Sequence, residues 1–148
     1  MNLDTYPVES SDDLLTHLFM SDGPNGKILK RIEFQHTKPG CYNLAFGDWK
    51  EEDQRLDDTI RSNNKDLEKV LSTVAMVVDL FLTASPSARI EMTGSTASRT
   101  RLYQMKILQN LQKINEHYII KGHNGNAWEV INTAMIYSAF FIEHKKYA

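Results

Sequence analysis

The stretch 67-LEKVLSTVAMVVDLFLTASPSARIEMTGSTASRTRLYQ-104 decides the fold class. Its first part spaces Leu67, Val70, Leu71, Val74, Val78 and Phe81 by threes and fours, the stripe of a helix that buries one face. Ser62 or Asn63 can cap this helix, and Asp66 and Glu68 set negative charge at its electropositive start. Ser85-Pro86 ends it, because a residue before proline is pushed out of the helical region. A short strand, Ala88–Thr93, then runs into Gly94-Ser95-Thr96, and a second helix is predicted from Ala97 to Glu116. Leu108, Leu111, Ile114 and Tyr118 form its expected inner face.

Strand-like segments flank this centre on both sides. Leu14–Met20 and Lys27–Thr37 are separated by 21-SDGPNG-26, dense in turn-forming residues. In the second of these, Ile28, Ile32 and Phe34 alternate imperfectly with Lys30, Arg31 and Glu33, as a half-buried or bulged strand does. Tyr42–Phe46 follows Lys38-Pro39-Gly40. The stretch 48-DWKEEDQRLDD-58 holds six acids and two bases; it reads as an exposed loop or strand edge, with Thr59–Arg61 after it. Beyond the second helix, Tyr118–Lys121 and Ala127–Ile131 flank 122-GHNGN-126, whose Asn-Gly pair suits a tight hairpin. The segment 137–144 fits a buried strand or a short helix, and strand is preferred. The order βββ-α-β-α-βββ predicts one α+β domain over 1–148, a mostly antiparallel twisted sheet with both helices on one face. Residues 1–10 are expected to be a flexible or edge segment. A ribonuclease H-like arrangement has a similar order of elements, but of the acids such an enzyme needs only Glu91 stands on a suitable strand.

Composition narrows the function classes. The chain has 148 residues, 41% apolar and 24% charged, with a net charge of −2. That balance is globular rather than disordered, and it gives no global attraction to nucleic acid or anionic lipid. Cys41 is the single cysteine, so no internal disulfide and no multi-thiolate zinc site can form. The N-terminus lacks a signal-peptide core and no apolar run approaches the ~20 residues of a membrane span, so a cytoplasmic protein is expected.

The candidate site is 93-TGSTASRTR-101. Cations are misplaced at the start of a helix, each costing about 0.3–1 kcal/mol against the dipole. A bound phosphate, nucleotide or carboxylate would remove that conflict. Gly94 would admit a ligand close to the backbone, Ser95, Thr96 and Ser98 add hydroxyls, and Arg99 or Arg101 offers a two-pronged grip. The two arginines diverge by about 200° on a helix, so one ligand takes one of them, and Arg99 is nearer the opening. Asn63 and Asn64, at the start of the first helix, would complete a cradle if the two helix openings share one edge. The competing explanation is that Ser95 or Thr96 is an ordinary cap and each arginine pairs with an acid of 48–58.

Other patterns are weaker. Asp57 and Asp58, near Asn63, Asn64 and Asp66, offer oxygen ligands without the spacing of any calcium loop. The five histidines show no i, i+4 pair. No metal and no cofactor is expected. From Thr96 to Asn115 the chain carries Arg99, Arg101, Lys106 and Lys113 and no acid, a pattern found on docking stripes for acidic proteins or nucleic acid and on solvated faces alike. Nucleic acid is the least favoured of these partners.

The segments 42-YNLAFGD-48, 57-DDTIRSNNKD-66, 69-KVLSTVA-75 and 93-TGSTASRTRLY-103 together resemble an uncharacterised family of small bacterial proteins, a domain of unknown function. The resemblance covers nearly the whole chain and implies one compact domain of bacterial type, with no activity, cofactor or catalytic residue to carry over. The expectations for function are therefore ordered. A small binding or regulatory domain with an anion site at 93–101 comes first. A protein-interaction module of a two-gene regulatory or defence pair, toxin–antitoxin-like, comes second. A metal-dependent hydrolase or nuclease using Asp57 and Asp58 comes last, because no complete acid/base set is present.

Overall fold

A computed structural model describes residues 4–57, 64–94 and 96–147. Among the described residues there are nine strands and three α-helices, with the strands mostly antiparallel, so the α+β expectation holds. Packing divides the chain into two compact units, one of residues 1–35 and 45–81, the other of residues 36–44 and 82–148.

The first unit begins with β1 (Glu9–Ser10), β2 (Thr16–Gly23) and β3 (Gly26–Lys38, as far as Gln35). β1 is an edge strand on β2, and β2 pairs antiparallel with β3 from Thr16↔Glu33 to Gly23↔Gly26. β2 starts later than the sequence suggested because Leu14 turns the chain through a positive φ of 61°, a conformation that interrupts extended backbone. His17, Phe19 and Ser21 of β2 face inward, as do Lys30, Ile32 and Phe34 of β3. The imperfect alternation of β3 is therefore a buried charge: Lys30 Nζ donates to Asp48 of β4 (Cys41–Lys50).

β4 continues through a turn into β5 (Arg55–Asp57), with Asp48↔Asp57 in register. The acidic stretch is thus largely a hairpin, and Asp48, expected in an exposed segment, is 2% exposed. Trp49 lies half-buried beneath the Arg31 guanidinium, 4.1 Å from its ring centre. The predicted strand Thr59–Arg61 and the caps Ser62 and Asn63 lie outside the described residues.

Helix α1 (Leu67–Ala84) lays Val70, Leu71, Val74, Val77, Val78 and Phe81 into the core of this unit. Leu67, predicted in that stripe, is 46% exposed, because it is the first helical residue and precedes the packed turns. Phe81 stacks on Phe34 with ring centres 4.3 Å apart, and Phe19 stacks on both Tyr6 and Phe46. Tyr6 anchors the N-terminal segment: its N–H donates to Thr73 Oγ1, and its hydroxyl donates to Asp66 Oδ2 at 2.6 Å. Burial, and then the Asp66 carboxylate, raise its pKa above the ordinary 10.0.

The second unit takes the start of β4, which pairs in parallel with β6 (Arg89–Met92), Cys41↔Arg89 to Leu44↔Met92. A parallel pair needs a long crossover, and the intervening chain carries α1. β6 pairs antiparallel with β9 (Ala139–His144), β9 with β7 (Tyr118–His123), and β7 with β8 (Trp128–Val130). The segment 137–144 is therefore mainly strand, as preferred. Ile90, Ile142 and Ile120 lie side by side in this ladder, and Ile90 and Phe140 are fully buried.

The predicted long second helix is two: α2 (Ala97–Gln109) and α3 (Leu111–His117). Asn110 separates them at φ −121°, its side-chain amide donating to the carbonyl of Lys106 at 2.9 Å. An Asn side chain offers the backbone such a competing hydrogen bond. The inner face also differs. Thr100, Tyr103, Gln104 and Ile107 are buried, whereas Leu108, Leu111, Ile114 and Tyr118 are half-buried.

Candidate functional site

The junction of β6 and α2 forms one wall of a cavity in the second unit, of about 410 Å³. Thr96 is the N-cap, extended at φ −135° and ψ 162°, and its hydroxyl accepts from the N–H of Arg99 at 3.2 Å. A helix leaves its first N–H groups without intrahelical partners, and this cap satisfies one of them. The Thr100 hydroxyl accepts from Gly94 N–H at 3.0 Å and donates to the Thr96 carbonyl at 3.1 Å, tying the strand end to the first helical turn. A Cβ on Gly94 would lie 2.4 Å from the nitrogen of Thr100. Glycine stands here so that the helix can pack against the strand end.

Helical spacing decides which arginine faces the cavity. Ala97, Thr100 and Arg101 stand at i, i+3 and i+4 on one face, and all three line it. Arg99 is half-buried and is not among the lining residues. Closeness to the helix opening favours Arg99 in the sequence, but it is Arg101, one turn after Ala97, that reaches the lining. Among the described residues Arg101 has no carboxylate partner. Thr93, Gly94 and Thr96 complete this wall.

The opposite wall comes from Asn124 and Gly125 in the β7–β8 turn and from Ile136, Tyr137 and Ser138 before β9. Gln104 holds the latter segment in place: its Nε2 donates to Met135 O at 2.7 Å, and its Oε1 accepts from Tyr137 N–H at 3.2 Å. The Tyr137 hydroxyl accepts from Asn132 N–H and donates to Val130 O. Asn124 Oδ1 accepts from the N–H groups of Asn126 and Ala127, and Ser138 donates its hydroxyl hydrogen to the His123 carbonyl. Gln104 and Tyr137 are not marked as site residues by the sequence, because polar residues that hold loops have no periodic signature, and Asn124 is marked only as half of the Asn-Gly turn pair.

The remaining candidates fall elsewhere. Ser98 is exposed on α2, and Ser95 lies outside the described residues. Asn64 belongs to the first unit, 4% exposed, with its amide donating to Ser21 Oγ and Gly26 O and its Oδ1 accepting from Asn25 N–H. Its side chain caps the β2–β3 hairpin. Asn63 and Asp58 lie outside the described residues. Asp57 is half-buried on β5, 3.8 Å from the Arg55 guanidinium. Among the described residues no group of three or more His, Cys, Asp or Glu side chains is placed to hold a metal ion. Of the basic residues on α2 and α3, Arg101 and Lys113 are exposed while Lys106 is 7% exposed, so the four do not form a continuous surface stripe. No helix among the described residues is long and apolar enough to cross a membrane.

Fold and junction define an α+β protein with a cavity of small-molecule size where a strand enters a helix. The chain belongs to a family of unknown function, DUF6934, whose match spans residues 2–145. No curated protein and no solved structure matches it.

Proposed function

We propose that this chain is a small binding domain of the bacterial cytoplasm whose ligand is an anion held at Arg101. The observation that carries this reading is a guanidinium with no carboxylate partner among the described residues, on the wall of a cavity of about 410 Å³. A cation within the first turns of a helix opposes the dipole, and a bound anion removes the opposition. Guanidinium binds a carboxylate or a phosphate through two parallel hydrogen bonds, which fixes orientation as well as affinity. The Thr96 hydroxyl keeps its own hydrogen to donate, since in the cap it only accepts. A single cysteine and a family resemblance to small bacterial proteins support the cellular setting.

The test is an amide NMR titration of wild type, Arg101→Ala and Arg99→Ala with a panel of carboxylates and phosphate esters. Saturable shifts are expected at Gly94, Thr96 and Arg101. Arg101→Ala should weaken binding by about tenfold or more, the worth of a charged hydrogen-bonding pair. Arg99→Ala should retain it. Equal affinity in wild type and Arg101→Ala would refute the reading.

A further inference from the structure

The lining of the cavity separates into a polar end and an apolar end. Arg101, with the hydroxyls of Thr93 and Thr96, forms the polar end. Elsewhere the polar groups are consumed by the fold: Thr100 bridges Gly94 and Thr96, Asn124 holds its own turn, and Ser138 is bonded to His123. The large apolar side chain that the other wall leaves open is Ile136, since Tyr137 is 2% exposed with its ring against Gly122. Ile136 is 64% exposed, a large apolar side chain left in solvent at the lip. The volume of about 410 Å³ lies in the range of organic ligands and is several times what one inorganic anion fills.

We infer that the ligand is an amphiphilic anion: one carboxylate or phosphate monoester group on an apolar or aromatic body. This rests on the anion reading of Arg101. One guanidinium neutralises one acid group, and the lining offers no further cation for a di- or triphosphate. The body of the ligand covers Ile136 and gains the free energy of removing apolar surface from water.

The experiment titrates the full chain with three probes, inorganic phosphate, phenyl phosphate and benzyl alcohol, read at the amides of Gly94, Thr96, Ile136 and Ser138. Phenyl phosphate should bind about tenfold or more tightly than inorganic phosphate, as burying one ring predicts. Ile136→Ser, a change at an exposed position, should weaken phenyl phosphate severalfold and leave inorganic phosphate unaltered. Equal affinities for the two phosphates, both lost in Arg101→Ala, would overturn the amphiphilic inference while keeping the anion site. Benzyl alcohol binding as tightly as phenyl phosphate and indifferent to Arg101→Ala would overturn the anion site and the inference with it. The absence of saturable shifts with all three would overturn both.

Discussion

At Gly94 a methyl group has nowhere to go: it would meet the backbone nitrogen of Thr100 at 2.4 Å and Arg99 Cβ at 2.8 Å. Gly94→Ala should cost about 1–3 kcal/mol in a denaturant titration, because backbone rather than a flexible side chain must shift. The sequence marks Gly94 as special but not why, since close approach by a ligand and close approach by a helix both demand glycine. His17 shows the same gap between notice and cause. It is fully buried, with Nε2 donating to Leu14 O at 2.7 Å and the Ser10 hydroxyl at Nδ1, and burial lowers its pKa below 6.5. The folded state therefore takes up a proton less readily than the unfolded chain. The stability that follows is fully present above pH 6.5 and is lost as pH falls through the lower folded value. Asp13, held below 3.8 mainly by the Ser11 hydroxyl, acts only at lower pH. Unfolding midpoints taken at about pH 7.5 and about pH 5.5 should differ more in wild type than in His17→Gln, and equal differences would contradict this account.

Among the elements, β3 and β4 share a buried ion pair, Lys30 with Asp48, whose side chains are 9% and 3% exposed. Removing one partner strands the other charge away from water. Asp48→Ala should therefore cost about 3–5 kcal/mol, while Lys30→Met with Asp48→Leu should come much closer to wild type by thermal or chemical unfolding. Strand type was readable from period-two patterning, but a lysine at an inward position looks like broken patterning until its partner is known. The break between α2 and α3 was equally hidden. Leu108, Leu111, Ile114 and Tyr118 satisfy helical spacing as well as the stripe that is actually buried. Thr100 and Gln104 win because their hydrogen bonds to Gly94, Met135 and Tyr137 make burial of polar side chains inexpensive. Asn110→Leu removes the bond to Lys106 O and should extend helical amide shifts across 109–111, while unchanged shifts would mean that the chain turns there for another reason.

On the scale of the whole molecule, the α+β class was legible because 3.6-residue and two-residue periods occupy separate stretches of this chain. The division into two units was not legible. It depends on residues 36–44 packing with the C-terminal half, a long-range fact that local periodicity does not carry. Electrostatics at this scale bears on partners. Net charge is −2, and burial of Lys106 interrupts the basic run on α2 and α3. The protein should pass through a heparin column at physiological salt, and retention would instead indicate a basic surface suited to nucleic acid.

The most direct measurement follows the Arg101 Nε–H resonance while phenyl phosphate is added to the full chain. A saturable shift, accompanied by Gly94 and Thr96 and lost from those amides in Arg101→Ala, is the outcome expected of an anion seated in the cavity. A resonance that stays at its solvent-exposed position throughout, with Gly94 and Thr96 unmoved, would show that this guanidinium has no ligand to hold.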